Sequence, residues 1–200
     1  DGRDRLGCPG PVGDGVLAHA VSRVVVTTPS CPYGGRASPT GALRIDVEVL
    51  VAELTPCLWF FEGDAMAAFT RYVEIFSRYG EARILSDGGI VVEVELDGQK
   101  VQGINGGPAG FAHSPAFSMS VSCQGSEQVD HYWDSLVEGG EPSQCGWLVD
   151  RWGISWQIVP RELMEYMSDP DPAKAAATRD VMLQMSKLDV DALRAAHDSA

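Results

Sequence analysis

The stretch QCGWLVDRWGISWQIVP, residues 144–160, decides the fold. It reads as a β-hairpin: a short strand over 145–149, a turn over 150–153 and an apolar strand over 154–159. Side chains alternate across a strand, so Ser155, Gln157 and Val159 share one face and Trp156 and Ile158 the other. A Ser and a Gln opposite a Trp and an Ile suggest one face lining a cavity and the other packed under a helix.

Working back from this hairpin, residues 54–61 form an apolar, aromatic strand, and a turn at 62–64 leads into a helix through Phe76. Phe69, Tyr72, Val73 and Phe76 follow the i, i+3, i+4, i+7 stripe, and Asp64 is positioned to cap the helix. Strands follow at 82–85, 90–96 and 99–104, the last two joined by Asp97-Gly98, a strong hairpin turn. The order then repeats. Residues 116–123 alternate Phe117, Met119 and Val121 against Ser118, Ser120 and Ser122. Ser126 is placed to cap a helix striped by Val129, Tyr132, Trp133 and Leu136, and Gly139-Gly140 ends it. The opening hairpin supplies the last strands. Residues 54–160 thus hold two β-α-β-β-β units, and pairing their sheets side by side makes a cup.

The flanks differ. Residues 1–53 are dense in Gly and Pro up to Thr40 and read as an irregular extension, with a strand or lead-in at 43–51. Residues 161–200 read as a helical tail, interrupted by Asp169-Pro170-Asp171-Pro172 and resumed from Ala173 to Lys187, with Asp189 capping a last helix through Ala196.

Two hundred residues at 44% hydrophobic suit one medium domain with appendages. A net charge of −13 argues against nucleic-acid binding and against docking on anionic membrane. No apolar run reaches bilayer-spanning length, and no secretory signal opens the chain. Cys8, Cys31, Cys57, Cys123 and Cys145 form no CxxC and are odd in number, which fits reduced thiols in a cytoplasm.

The strings TPCLWFFEGDAMAAF, ELDGQ, INGGP, FSMSVSC, VDHYWDSLVEGGE, QCGWLVDRWGISWQIVP, SDPDPAKA and MLQMSKLDVDALRAA occur in one order between residues 54 and 196. Together they resemble the PhnB-like family of the vicinal oxygen chelate (glyoxalase/bleomycin-resistance/dioxygenase) superfamily. Its relatives are often labelled 3-demethylubiquinone-9 3-methyltransferase. The resemblance implies an α+β fold of two paired β-α-β-β-β modules forming a cup, and a homodimer. It also sets two departures: Arg71 stands where the family has a core Phe, and the connection over 77–89 is short.

Metal-dependent members of that superfamily take His and Glu ligands from the first and last strands of each module. The position matching the last-strand Glu is Gln157, and an amide is a poor ligand for a hard or borderline cation. The second module offers Ser118 or Ser120 where a His is expected. The first offers Thr55 or Cys57 and Gly103 or Asn105. The expectation is therefore a site with no metal and no cofactor that binds a small, partly apolar molecule. Its candidate contacts are Gln157, Ser118, Ser120, Cys145, Trp147, Asn105 and Ser155. The alternatives are a glyoxalase- or dioxygenase-type metalloenzyme and the labelled methyltransferase. The latter needs a strand, a Gly-rich turn and a helix N-terminus in sequence. None of the chain's Gly clusters has that setting.

Overall fold

The computed structural model describes residues 52–200, and the readings made for 1–51 lie outside them. Two modules of identical topology follow one another. In the first, β1 (Cys57–Phe60), α1 (Ala65–Phe76), β2 (Ala82–Asp87), β3 (Val91–Leu96) and β4 (Gln99–Asn105) build a sheet of order β1-β4-β3-β2. In the second, β5 (Met119–Cys123), α2 (Gly125–Leu136), β6 (Glu141–Pro142), β7 (Trp147–Val149) and β8 (Ser155–Pro160) build the order β5-β8-β7-β6. The first and last strands of each module pair in parallel and the remaining neighbours antiparallel. The fold is α+β, two β-α-β-β-β modules followed by the tail helices α3 (Arg161–Met167), α4 (Pro172–Met182) and α5 (Val190–Asp198).

Each helix covers one face of its own sheet. The stripe predicted for α1 is buried at Phe69, Tyr72 and Phe76 and partly buried at Val73, over Leu58, Phe60, Val92, Val94 and Val101. Gly103 makes this approach possible, because a Cβ there would sit about 2.9 Å from both Phe60 and Phe69. The stripe of α2 is buried over Val121, Leu148, Trp156 and Ile158. Between the modules, the two helices and β8 share one aromatic cluster. Phe76 stands 5.0 Å from Tyr132 and Tyr72 5.1 Å from Trp156, ring centre to ring centre.

Several sequence expectations shift. The first strand starts at Cys57 rather than residue 54, and Leu54 is 93% exposed. The strand expected from 116 begins at Met119, with Phe117 51% exposed ahead of it. Apolar residues lengthened both readings, but they lie in connections where no ladder partner is available. The Asp64 side chain does not cap α1; Asn105 Oδ1 accepts from Ala65 N at 3.0 Å instead. Ser126 does not cap α2, which begins one residue earlier at Gly125. Gln128 Oε1 accepts from Gln124 N at 2.7 Å there. β6 is two residues long and carries no sequence signal. Arg71 is no core residue: it reaches Glu138 at 2.9 Å and Glu74 at 3.4 Å on the surface.

The tail behaves as its caps predict. Asp171 accepts from Ala173 N, and Asp189 accepts from Asp191 N and Ala192 N. The helix expected to run to Lys187 ends at Met182, and the chain then turns so that Met185 and Ser186 carbonyls accept from Cys145 N and Gly146 N, both at 2.7 Å. Leu163, Leu188 and Leu193 form a small core of their own, against which Val159 of β8 packs.

Candidate functional site

With Trp156 and Ile158 buried under α2, the opposite face of the second sheet is open at Ser120 and partly open at Gln157 and Trp147, while the tail core covers Val159. Strand register sets its rows. Ser120 pairs with Gln157, and Gln157 pairs with Trp147, so these three lie side by side across β5, β8 and β7. On one side of this row Ser155 pairs with Val149, and on the other side Ser122 pairs with Val159. Ser118, just ahead of β5, meets Gln157 directly: Gln157 Nε2 donates to Ser118 Oγ at 2.8 Å. Ser120 is exposed, Gln157, Ser118 and Trp147 are half-buried, and Ser155 is buried. Among the described residues, Ser155 Oγ has no hydrogen-bond partner. An orphaned buried hydroxyl costs about 1–3 kcal/mol, which makes this row an energetically unfinished part of the sheet.

Five of the seven expected contact residues therefore converge on one face. The other two do other work. Asn105 gives its Oδ1 to the start of α1 and donates through Nδ2 to Gly89 O at 2.7 Å, so both ends of its amide are engaged in the first module. Cys145 lies in the turn before β7, not in the strand expected from 145, at φ +57.

A cavity of about 290 Å³ adjoins the Ser118 end of the face. His113, Ser114, Phe117, Ile154 and Ser155 line it, among others. The segment joining the two modules forms its outer wall. That segment is fastened to β1: His113 Nε2 bonds Trp59 O at 2.7 Å, and Phe111 stands edge-on to Trp59 at 5.4 Å.

The donor chemistry of the face is neutral oxygen and amide. Among the described residues, no three His, Cys, Asp or Glu side chains gather closely enough to hold a metal ion. In the first module, Gly103 is spent beneath α1 and Asn105 on its cap, and Cys57 is exposed with burial raising its thiol pKa. These residues do not fit the His and Glu set that a divalent ion of this superfamily takes. Nor do they fit a dinucleotide-type cofactor cradle. The two strand-to-helix junctions hold one glycine each, Gly63 ahead of α1 and Gly125 opening α2, and the strand that follows α1, β2, lies at the far edge of the sheet from β1 rather than beside it.

The largest polar structure the sequence did not disclose is buried between the modules. Asp150, 4% exposed, accepts from Tyr72 OH, from Trp156 Nε1 at 2.9 Å, and from the backbone N–H groups of Trp152 and Ile154 at 2.9 and 3.0 Å. Burial raises its pKa and the four donors oppose that rise; burial and the Asp150 charge push Tyr72 well above the usual phenol range. An Asp opening a turn is ordinary in sequence, so only its distance to Tyr72 across the modules reveals this role.

Paired β-α-β-β-β modules, each with its own helix over one face of its sheet, are the vicinal oxygen chelate, glyoxalase-type fold. A family model described as 3-demethylubiquinone-9 3-methyltransferase matches residues 52–159, more than half of the chain. The chain belongs to this family. No curated protein matches it in sequence. Among solved structures, it is similar to a Bacillus cereus PhnB protein described as a putative 3-demethylubiquinone-9 3-methyltransferase. That match has 26% identity and a TM-score of 0.48, over 55% of this chain and 99% of the other. A Pseudomonas aeruginosa protein matches at 15% identity and TM-score 0.46, over 55% and 98%. The Listeria monocytogenes fosfomycin resistance protein FosX, in complex with Mn(II) and sulfate, matches at 15% identity and TM-score 0.39, over 59% and 99%.

Proposed function

We propose that this protein binds a small, partly apolar molecule on the open face of its second sheet, without a metal. The observation that carries the reading is the Gln157–Ser118 hydrogen bond at 2.8 Å. It occupies the position where a metal-dependent relative needs a carboxylate, and it sits in a row with an aromatic surface at Trp147. Neutral hydrogen-bonding groups beside an indole suit an uncharged or weakly polar ligand better than a cation. The methyltransferase description of the family finds no support in the turns that would cradle S-adenosylmethionine.

The protein works as a homodimer in this reading. Phe111 and Phe117, 57% and 51% exposed on the joining segment, give a second copy an apolar surface to cover. Among the described residues, Cys57, Cys123 and Cys145 form no disulfide, which supports a reducing compartment such as the cytoplasm. No described helix is long and apolar enough to cross a membrane.

The test is elemental analysis of the purified protein together with mass spectrometry of co-purified small molecules. The expected result is substoichiometric metal and a bound organic compound that raises the melting temperature when added back. Stoichiometric Mn, Fe, Ni or Zn that is lost in Gln157→Leu overturns the reading.

A further inference from the structure

The cavity beneath the joining segment has a wall whose polarity is fixed by a contact outside it. His113 lines the cavity, and its Nε2 lies 2.7 Å from the Trp59 carbonyl oxygen. A carbonyl only accepts, so Nε2 carries the proton, and in the neutral imidazole Nδ1 is then an acceptor. The Cδ2 edge of the ring is turned toward Gly153, where a Cβ would stand 3.7 Å away, and Phe61 meets the ring at 5.3 Å between centres. Among the described residues, Nδ1 has no hydrogen-bond partner. The floor is Ile154 and Ser155, 2% and 3% exposed. The Ser155 hydroxyl has no bond to give up, so a turn of χ1 toward an occupant breaks nothing. Ala112, Ala116 and Phe117 form an apolar rim. Among the described residues, no Lys, Arg, Asp or Glu lines the cavity, so neither a carboxylate nor an ammonium group finds a fixed counter-charge there.

We infer that this cavity takes a neutral aromatic molecule carrying one hydrogen-bond donor, a ring N–H or a hydroxyl, which donates to His113 Nδ1. The inference rests on the ligand-binding reading above and gives that ligand a place, at the Ser155 end of the face, and a chemical class. A molecule that only accepts leaves Nδ1 desolvated and unpaired, whereas a donor pairs it. Ile154 and Phe117 are the apolar contacts for its ring. The volume of about 290 Å³ is at the lower end of small-molecule sites and fits one or two fused rings. The imidazole that meets the donor also fastens the wall to β1, so its tautomer is set by the fold rather than by the ligand.

The experiment uses three probes with the full chain at pH 8: indole, benzofuran and benzoate. Benzofuran has the shape of indole with an acceptor oxygen in place of the N–H. Binding is followed by calorimetry and by the nitrogen signals of the His113 ring and of the Ile154 and Ser155 amides. Indole is expected to bind about three- to tenfold more tightly than benzofuran, the effect of one net hydrogen bond, and benzoate most weakly. Indole, and not benzofuran, should move the Nδ1 signal. Ala116→Leu, at the exposed rim, should weaken every probe, and His113→Phe should abolish the preference for indole. If His113→Phe does not fold, Ala116→Leu and the Nδ1 signal carry the test. Equal affinity for indole and benzofuran with Nδ1 unmoved overturns the donor assignment, as does a preference for benzoate. Binding marked only by shifts at Gln157 and Trp147 overturns the inference and leaves the ligand-binding reading standing. No binding of any probe, with no shift on β5, β7 or β8, overturns both.

Discussion

Asp150 collects its four hydrogen bonds from α1, from the turn it opens and from β8, so a single carboxylate holds three pieces of chain. Asp150→Ala leaves buried donors without an acceptor and is expected to cost about 3 kcal/mol, measured by urea unfolding. Asp150→Asn keeps the volume and one acceptor oxygen and should cost less. Cysteine reactivity gives a second check. Burial pushes the Cys123 thiol up to about 12, with 0% of the residue exposed, whereas Cys57 is exposed. An alkylating reagent at pH 8 should modify Cys57 in the native protein and Cys123 only after denaturant is added, as peptide mass mapping would show. At this scale the sequence disclosed only shared faces, Gln157 with Ser155 and Ser118 with Ser120, because period-two placement is a local rule and needs no knowledge of the partner strand. It could not disclose Asp150 or the engagement of Asn105. Their partners lie 78 and 40 residues away, and a polar residue at a turn has the same local appearance whether it serves the turn or a distant group.

The tail helices are tied together by charge. His197 Nε2 meets Asp169 Oδ2 and its Nδ1 meets Asp198 Oδ1, both at 3.0 Å, with the ring stacked on Tyr166 at 4.6 Å. Hydrogen bonds to Asp198 and then Asp169 raise the His197 pKa, so its contribution is complete below about 6.5 and fades as pH rises through the folded value. Asp169, held down by the Asp171 backbone N–H and then by His197, contributes above about 3.9 and fades as pH falls through its folded value. α5 should therefore be most firmly docked between those limits. Amide hydrogen exchange in α5 should quicken on raising the pH above the window once intrinsic rates are divided out, and His197→Ala should flatten that dependence. Element types were readable because helical stripes, Asp-Gly and the Asp-Pro repeats each have a local physical cause. Element ends were not. Leu54 and Phe117 look like strand in isolation, yet a strand exists only where a neighbour supplies hydrogen bonds.

Across residues 52–200, the two modules share one core: Phe76, Tyr132 and Trp156 belong to it equally. Unfolding should then be a single transition, with tryptophan fluorescence and far-ultraviolet circular dichroism coincident in urea. Tyr72→Phe should shift both curves together, whereas loss of the first module alone would separate them. The repeated topology was legible from element order, but the contact between α1 and the β7–β8 hairpin was not, since periodicity says which face is apolar and not what meets it. That contact has a consequence for descent by duplication. The modules have the same strand order, which suggests interchangeable halves. The Tyr72–Asp150 bond breaks that equivalence, since each half supplies only one of its two groups. A first module transplanted from a relative that lacks a hydroxyl at position 72 would leave Asp150 one donor short, so the two halves are expected to vary in step at these positions.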